Sequence, residues 1–208
     1  PTISVIKFTK KIAIANKESI ICGWNLIEKN LRKNNTKFIP VDSEHFSLWK
    51  IINENNKNNI DKIYITASGG PFLNTPLKKL RYVKPHEATK HPNWKMGKKI
   101  SIDSATLMNK VFEIIEANKI FKIDLKKFNI LIHPKSYIHA VVKFKNGLIK
   151  IVAHDTDMTI PIANTMFDSD ELILKNQNIK FEVLNNLKLQ LPSYNKYPSL
   201  KILKKISS

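Results

Sequence analysis

Cysteine is almost missing from this chain: Cys22 is the single one in 208 residues. One thiol excludes an internal disulfide. It stands in the apolar run SIICGW, so the expectation is a buried thiol and not a nucleophile. Glycine is nearly as scarce. The five glycines, at 23, 69, 70, 97 and 147, cannot spell GxGxxG, which excludes a complete dinucleotide fingerprint within these residues. No apolar run approaches the roughly 18–20 residues of a membrane span, so no membrane partner is expected. Acidic residues are few: Asp and Glu number 17 against 35 Lys and Arg, a formal net charge of +18.

Such an excess invites a nucleic-acid reading. The basic residues, however, are dispersed along Lys-rich polar faces and form no block, and Lys far outnumbers Arg. Saturation with Lys, Asn and Ile (NNKNN, LILKNQNIKFEVLNNLKLQ) has the look of drift in an AT-rich genome. A solvated basic face that steers anionic substrates is the expected outcome, with no nucleic-acid partner. At 42% hydrophobic and 25% charged residues the composition is that of a globular protein.

What is present is an alternation of strand and helix signals. Residues 11–15, 37–41, 61–66 and 98–102 read as strands. Helical patterns follow in SIICGWNLIEKNL, over 44–52, and from Ser104 to about Asn118. This spacing predicts an α/β core with parallel pairs. From residue 129 the pattern changes: 129–133 is apolar, and 139–144 and 148–153 flank Asn146-Gly147, a strong hairpin signal. The predicted fold class is therefore α/β with a mixed, partly antiparallel sheet. After Met166 the pattern weakens into a Lys/Asn-rich stretch with Pro192 and Pro198, expected to be a linker. A start at Pro1 and a stop inside the helix-like LKILKKISS suggest a piece of something longer.

Candidate site residues cluster at the strand exits. Asp42-Ser43-Glu44 stands where a strand gives way to a helix. Carboxylates at i and i+2 there can turn to one hard cation, or they can simply cap the helix. Ser68-Gly69-Gly70-Pro71 can bring backbone N–H groups close to an anion, or it is an ordinary turn. Asn109, Lys110 and Glu113 share a helix flanked by Leu107, Met108, Val111, Phe112, Ile114 and Ile115, which leaves little room for a solvent-facing Asn. Lys17 directly follows a strand, where it could meet an anion. His91 and His139 lie among apolar residues, where a structural histidine is the default.

Taken in order, ANKES, PVDSEH, SGGPF, HPNWKMGKKISIDSATLMNK, IHPKSYIHAVV, DMTIPIANTM and YPSLK resemble the 1-deoxy-D-xylulose 5-phosphate reductoisomerase family over nearly the whole chain. The resemblance implies an enzyme dependent on NADPH and on Mg²⁺ or Mn²⁺, acting on a phosphorylated deoxy-sugar in non-mevalonate isoprenoid synthesis. It implies Asp42, Glu44 and Glu113 as metal ligands, and Ser68, Ser104, Asn109 and Lys110 as the phosphate grip. Lys17, Ser43 and His91 would contact the rest of the substrate. Lys17, Glu44, His91 and Glu113 would carry the chemistry, with His139 in support and the Trp94–Met96 loop as a lid. Asn16, Glu18 and Gly97 would touch NADPH, and Met158 would lie near its nicotinamide. A homodimer in a bacterial cytoplasm or a plastid-type organelle is implied as well.

The same comparison divides the chain into 1–41, the end of a Rossmann-like NADPH domain; 42–167, the catalytic domain; and 168–208, a linker and the start of a helical domain. The rest of the cofactor domain and of the helical domain is expected to be missing, which implies weak activity or none for the chain alone. There are departures. Val111-Phe112 stands where the family usually has Gly-Leu, which could overpack the helix beside the metal. His154-Asp155-Thr156-Asp157-Met158 replaces Gly-Glu-Pro-Asp-Met, and Phe167-Asp168 replaces Ala-Trp-Pro. Two rival readings stay open: a metal-dependent sugar-phosphate binder or isomerase without a redox step, and a non-enzymatic basic nucleic-acid binder. The intact acidic set argues against the second.

Overall fold

The computed structural model describes residues 1–94, 96–167, 174 and 178–206. Short α1 (Thr2–Ile6) leads into β1 (Lys11–Ile14), α2 (Lys17–Lys33) and β2 (Lys37–Pro40). Asn16 caps α2, its side chain accepting from the Ser19 N–H at 2.7 Å. Ile20, Trp24, Ile27 and Leu31 recur at helical spacing and are the buried face of α2. With Ile6 and Ile14 they form one small core, over which β1 and β2 pair in parallel. That helical phase turns Cys22 outward. The thiol is exposed, contrary to the buried position expected from its apolar neighbours.

Next come α3 (Ser43–Asn53), β3 (Ile60–Ala67), α4 (Pro85–Ala88), α5 (Lys98–Ala105) and α6 (Met108–Phe121), then β4 (Phe128–Ile132), β5 (Ile138–Phe144) and β6 (Ile149–Ala153). They are followed by α7 (Thr159–Met166), α8 (Phe181–Asn185) and α9 (Lys201–Ile206). The second sheet runs β4-β3-β5-β6. β3 pairs in parallel with β4 and antiparallel with β5, so the predicted mixed α/β architecture is what forms. Gly147 supplies the positive φ of 89° that turns β5 into β6, as the Asn-Gly signal required. Ile63, Ile65, Val111, Ile114, Ala140 and Val142 are among the fully covered side chains between this sheet and the helices.

Two expectations fail between Gly97 and Asn118. Residues 98–102 are the first turns of α5 and not a strand. The alternation in KISI suggested a pleat, but the positions that become buried are Ser101 and Ala105, four apart, while Ile102 is exposed. The following helix does not begin at Ser104, which lies in the last turn of α5. Leu107, at φ 57°, breaks the path, and α6 starts at Met108.

The stretch read as a linker packs onto the larger core in its later part. Gln190 bridges to Ile132, and Tyr197 and Leu200 are buried. Residues 168–173, including the Asp168 departure, lie outside the described residues. Among the described residues no helix is long and apolar enough to cross a membrane.

Candidate active site

β1, β2 and β3 all end at one cavity of about 490 Å³, walled on its other sides by α5, α6 and β5. Open α/β sheets place ligands outside the carboxyl ends of their strands, and this cavity follows that rule. Every site residue singled out from sequence lines it: Asn16, Lys17 and Glu18 after β1; Asp42, Ser43 and Glu44 after β2; Ser68 after β3; His91 and Gly97 from the intervening loops; Ser104 on α5; Asn109, Lys110 and Glu113 on α6; and Met158 before α7. His139, Trp94 and Met96 line it too.

Asp42 caps α3 and pairs with Lys17 at once. Its Oδ1 caps α3, accepting from the Glu44 N–H at 3.2 Å, while its Oδ2 faces the Lys17 ammonium at 3.1 Å. Glu44 Oε2 accepts from Ser43 Oγ at 2.6 Å, and Glu44 Oε1 accepts from Lys110 Nζ at 2.7 Å. The same Nζ lies 2.7 Å from Glu113 Oε2, and the Asn109 amide donates to the other Glu113 oxygen. Asp42, Glu44 and Glu113 each present an oxygen within 4.8 Å of the others.

Charge in this cluster is only partly balanced. Burial pushes the Glu113 carboxyl up, and although Lys110 opposes it, Glu44 and Asp42 add to it, leaving the group at about 8. Burial also favours neutral Asp42, but Lys17, then His45 and Lys110, outweigh it and hold the carboxyl well below its usual range. Lys17 and Lys110 stay charged despite burial because carboxylates surround them. Burial favours neutral His45, but Glu116 and Asp42 raise it to about 9. Glu113 is thus a buried acid driven towards its neutral form beside two other carboxylates. Three convergent oxygen donors of this kind fit a hard divalent cation.

His91 Nδ1 accepts the backbone N–H groups of Trp94, at 3.0 Å, and Asn93, at 3.2 Å. The proton of the neutral ring is therefore on Nε2, which donates to Ser68 Oγ at 3.0 Å. Burial and the nearby Lys110 ammonium lower the His91 pKa and keep that ring neutral. Gly70, at φ 70°, donates its N–H to the same hydroxyl. A Cβ there would meet the Ser104 carbonyl oxygen at 2.8 Å, so glycine lets β3's exit loop touch α5. Glu18 and Lys99 meet at 2.9 Å and join α2 to α5 across the mouth. Val111 is wholly within the core and Phe112 lies half-buried under the Lys99 ammonium. Neither lines the cavity, so the pair replacing Gly-Leu does not crowd the carboxylates. His154 stacks on His139 with ring centroids 3.7 Å apart.

Sequence reasoning did not find His45, Glu116 or Ser136. His45 Nε2 reaches the Glu113 carbonyl oxygen at 2.8 Å, and its Nδ1 lies 3.2 Å from Asp42 Oδ1. Glu116 follows Glu113 by one helical turn inside an apolar helix, a signal that was available. Ser136, at φ 52°, accepts from the Asn93 amide at 2.7 Å beneath the Trp94 loop.

Comparison with known proteins agrees with this fold. Residues 38–121 match the family model described as the 1-deoxy-D-xylulose 5-phosphate reductoisomerase C-terminal domain. The enzyme of that name from Pelagibacter ubique is 61% identical over 208 residues, 100% of this chain and 54% of its own length. The chain is a relative of the 1-deoxy-D-xylulose 5-phosphate reductoisomerases. The Wolbachia pipientis wMel reductoisomerase is 43% identical over 97% of this chain and 52% of its own. Among solved structures, the Zymomonas mobilis reductoisomerase in complex with NADPH superposes with a TM-score of 0.87 at 37% identity, covering 98% of this chain and 52% of that one. A reductoisomerase in complex with NADPH, fosmidomycin and magnesium gives 0.88 at 34%, covering 99% of this chain and 53% of that one. The chain spans about half the length of the relatives it matches.

Proposed function

We propose that this chain is the catalytic part of a reductoisomerase converting 1-deoxy-D-xylulose 5-phosphate to 2-C-methyl-D-erythritol 4-phosphate in isoprenoid synthesis. The observation that carries the reading is the meeting of Asp42, Glu44 and Glu113 in one cavity with Lys17, Lys110 and His91 around them. Bound Mg²⁺ or Mn²⁺ would supply Lewis-acid polarisation of the substrate's ketone and adjacent hydroxyl oxygens, and bound NADPH the hydride.

The chain's own residues do the rest. Asp42, Glu44 and Glu113 would hold the metal. Lys17 presents a fixed positive charge to developing oxyanions. Ser43 and His91 orient the substrate's hydroxyls. Ser68, Ser104, Asn109 and Lys110 form a polar wall suited to the phosphate, and Lys110 can turn to it when a cation takes over the carboxylates. Trp94 and Met96 would cover the site and exclude water. Asn16, Glu18 and Gly97 would touch NADPH, with Met158 near its nicotinamide.

We place residues 1–41 with the nucleotide-binding domain, 42–167 in the catalytic domain and 168–208 in the connection beyond it. The separate two-stranded sheet and small core of the first segment support that division. The whole protein is proposed to be a homodimer working in a bacterial cytoplasm or a plastid-type organelle.

Calorimetric titration of the chain with Mn²⁺ tests the reading. Binding that is lost in Glu113→Gln is expected. A chain that takes up no Mn²⁺, or a variant that binds it equally well, would overturn it. Turnover of NADPH by the chain alone is expected to be far below that of a full-length reductoisomerase.

A further inference from the structure

Glu116 is buried at 3% exposure and does not line the cavity, yet it is tied to the site from behind. Its Oε2 lies 3.2 Å from Lys17 Nζ and 3.7 Å from His45 Nδ1. Both of these groups also touch Asp42, Lys17 at 3.1 Å and His45 at 3.2 Å. Lys17 Nζ is further within 4.0 Å of Glu113 Oε1. A carboxylate is taken out of water at a cost that only close partners offset, so its placement here is specific.

The geometry shows what that placement accomplishes. The Lys17 ammonium has three carboxylates in reach, and two of them, Asp42 and Glu113, belong to the oxygen cluster suited to a cation. An ammonium and a divalent cation compete for the same oxygens. With Glu116 neutral, Lys17 would be left with Asp42 and Glu113 alone among these partners, and its charge would fall wholly on them.

We propose that Glu116 is a positioning residue that shares the Lys17 ammonium with Asp42 and Glu113 and so loosens its hold on them, which favours their ligation of a divalent metal. This inference rests on the metal reading above and adds a residue that acts through others without touching metal or substrate. Its position one helical turn past Glu113 ties it rigidly to a ligand. Partners behind a metal site commonly govern affinity in this way.

The test is a double-mutant cycle in the full chain, read as Mn²⁺ affinity by calorimetry without nucleotide or substrate. Glu116→Gln keeps the shape and removes the charge, and should weaken Mn²⁺ binding about 10- to 100-fold. The same substitution in a Lys17→Met background should change affinity by less than about 2-fold, because the competing ammonium is gone. A merely structural role would give equal losses in both backgrounds, and that result would overturn the proposal. So would unchanged affinity in Glu116→Gln. Should Glu116→Gln fail to fold, Glu116→Asp serves in its place: the shortened carboxylate should weaken binding in the native background and leave it unaltered with Lys17→Met. Equal effects in the two backgrounds would again refute the idea. Absence of Mn²⁺ binding by the unaltered chain would overturn the metal reading itself and this inference with it. Binding by the unaltered chain without coupling to Lys17 would overturn this inference alone.

Discussion

Lys110 Nζ lies 2.7 Å from Glu44 Oε1, a residue 66 positions away in the chain, and holds α6 against the start of α3. It does the same for Glu113 on its own helix, so one ammonium separates two carboxylates that would otherwise repel. Lys110→Met should therefore destabilise the metal-free chain by about 3–5 kcal/mol, the cost of breaking a buried pair. Urea unfolding measures it. Added Mn²⁺ should recover more stability in the variant than in the parent, since a cation replaces the missing charge. Equal recovery would show that the carboxylates are not short of positive charge.

Gly70→Ala tests the contact between the β3 exit and α5. The substitution meets both a positive φ and the backbone of Ser104 and Ala105, with no flexible side chain able to give way. A loss above about 1 kcal/mol in unfolding free energy is expected. Gly23→Ala, where an added Cβ meets nothing within 4 Å, should be neutral or stabilising by comparison.

His139 should contribute a loss of stability in mild acid. Burial lowers the His139 pKa to about 4 against the pull of Glu44, and His154 and Lys110 lower it further; the Trp94 ring closes the remaining side. The native chain thus refuses a proton that the unfolded chain accepts near its ordinary value of 6.5. The contribution is intact above about pH 6.5 and is lost progressively towards pH 4. At about 1.4 kcal/mol per unit, the loss is on the order of 3 kcal/mol. In His139→Gln, which can still donate to the His154 carbonyl, the slope of unfolding free energy between pH 7 and pH 5 should flatten. An unchanged slope would assign the acid sensitivity elsewhere.

Tyr197 donates its hydroxyl to the Gly69 carbonyl oxygen at 2.8 Å inside the core. Tyr197→Phe keeps the ring and leaves that carbonyl unpaired, so a cost of about 1–3 kcal/mol is expected by urea unfolding. Because Gly69 adjoins Ser68, the variant should also loosen the loop that meets His91, visible as faster amide exchange at Gly69 and Gly70.

The parts of the fold legible from sequence were those written in local periodicity or punctuation. β3, α3 and the Asn146-Gly147 hairpin appear within a residue or two of where their patterns put them. Residues 98–102 misled because two isoleucines two apart imitate a pleat, while the deciding fact, a buried Ser101–Ala105 face, depends on tertiary packing. Cys22 misled for the complementary reason: apolar neighbours in sequence stand on a different face of α2. Much of the cavity's lining was legible because Lys17, Asp42, Glu44 and Ser68 sit at strand exits and Asn109, Lys110 and Glu113 on one helix. The layer behind it was not. Glu116 and His45 are defined by what they touch across 99 and 68 residues of chain, or more briefly by a turn of helix among apolar side chains.

The placement of β3 between a parallel and an antiparallel neighbour has a kinetic consequence. Its two partners lie later in the chain, at 128–132 and 138–144, so β3 can be satisfied on both edges only after most of the described residues are available. Lys17 likewise meets Asp42 and Glu116 across 25 and 99 residues of chain, through loop closures that little local structure rewards beforehand. The ionic cluster is thus a late acquisition of the folding reaction. Substitutions within it should hasten unfolding and leave the refolding rate nearly untouched.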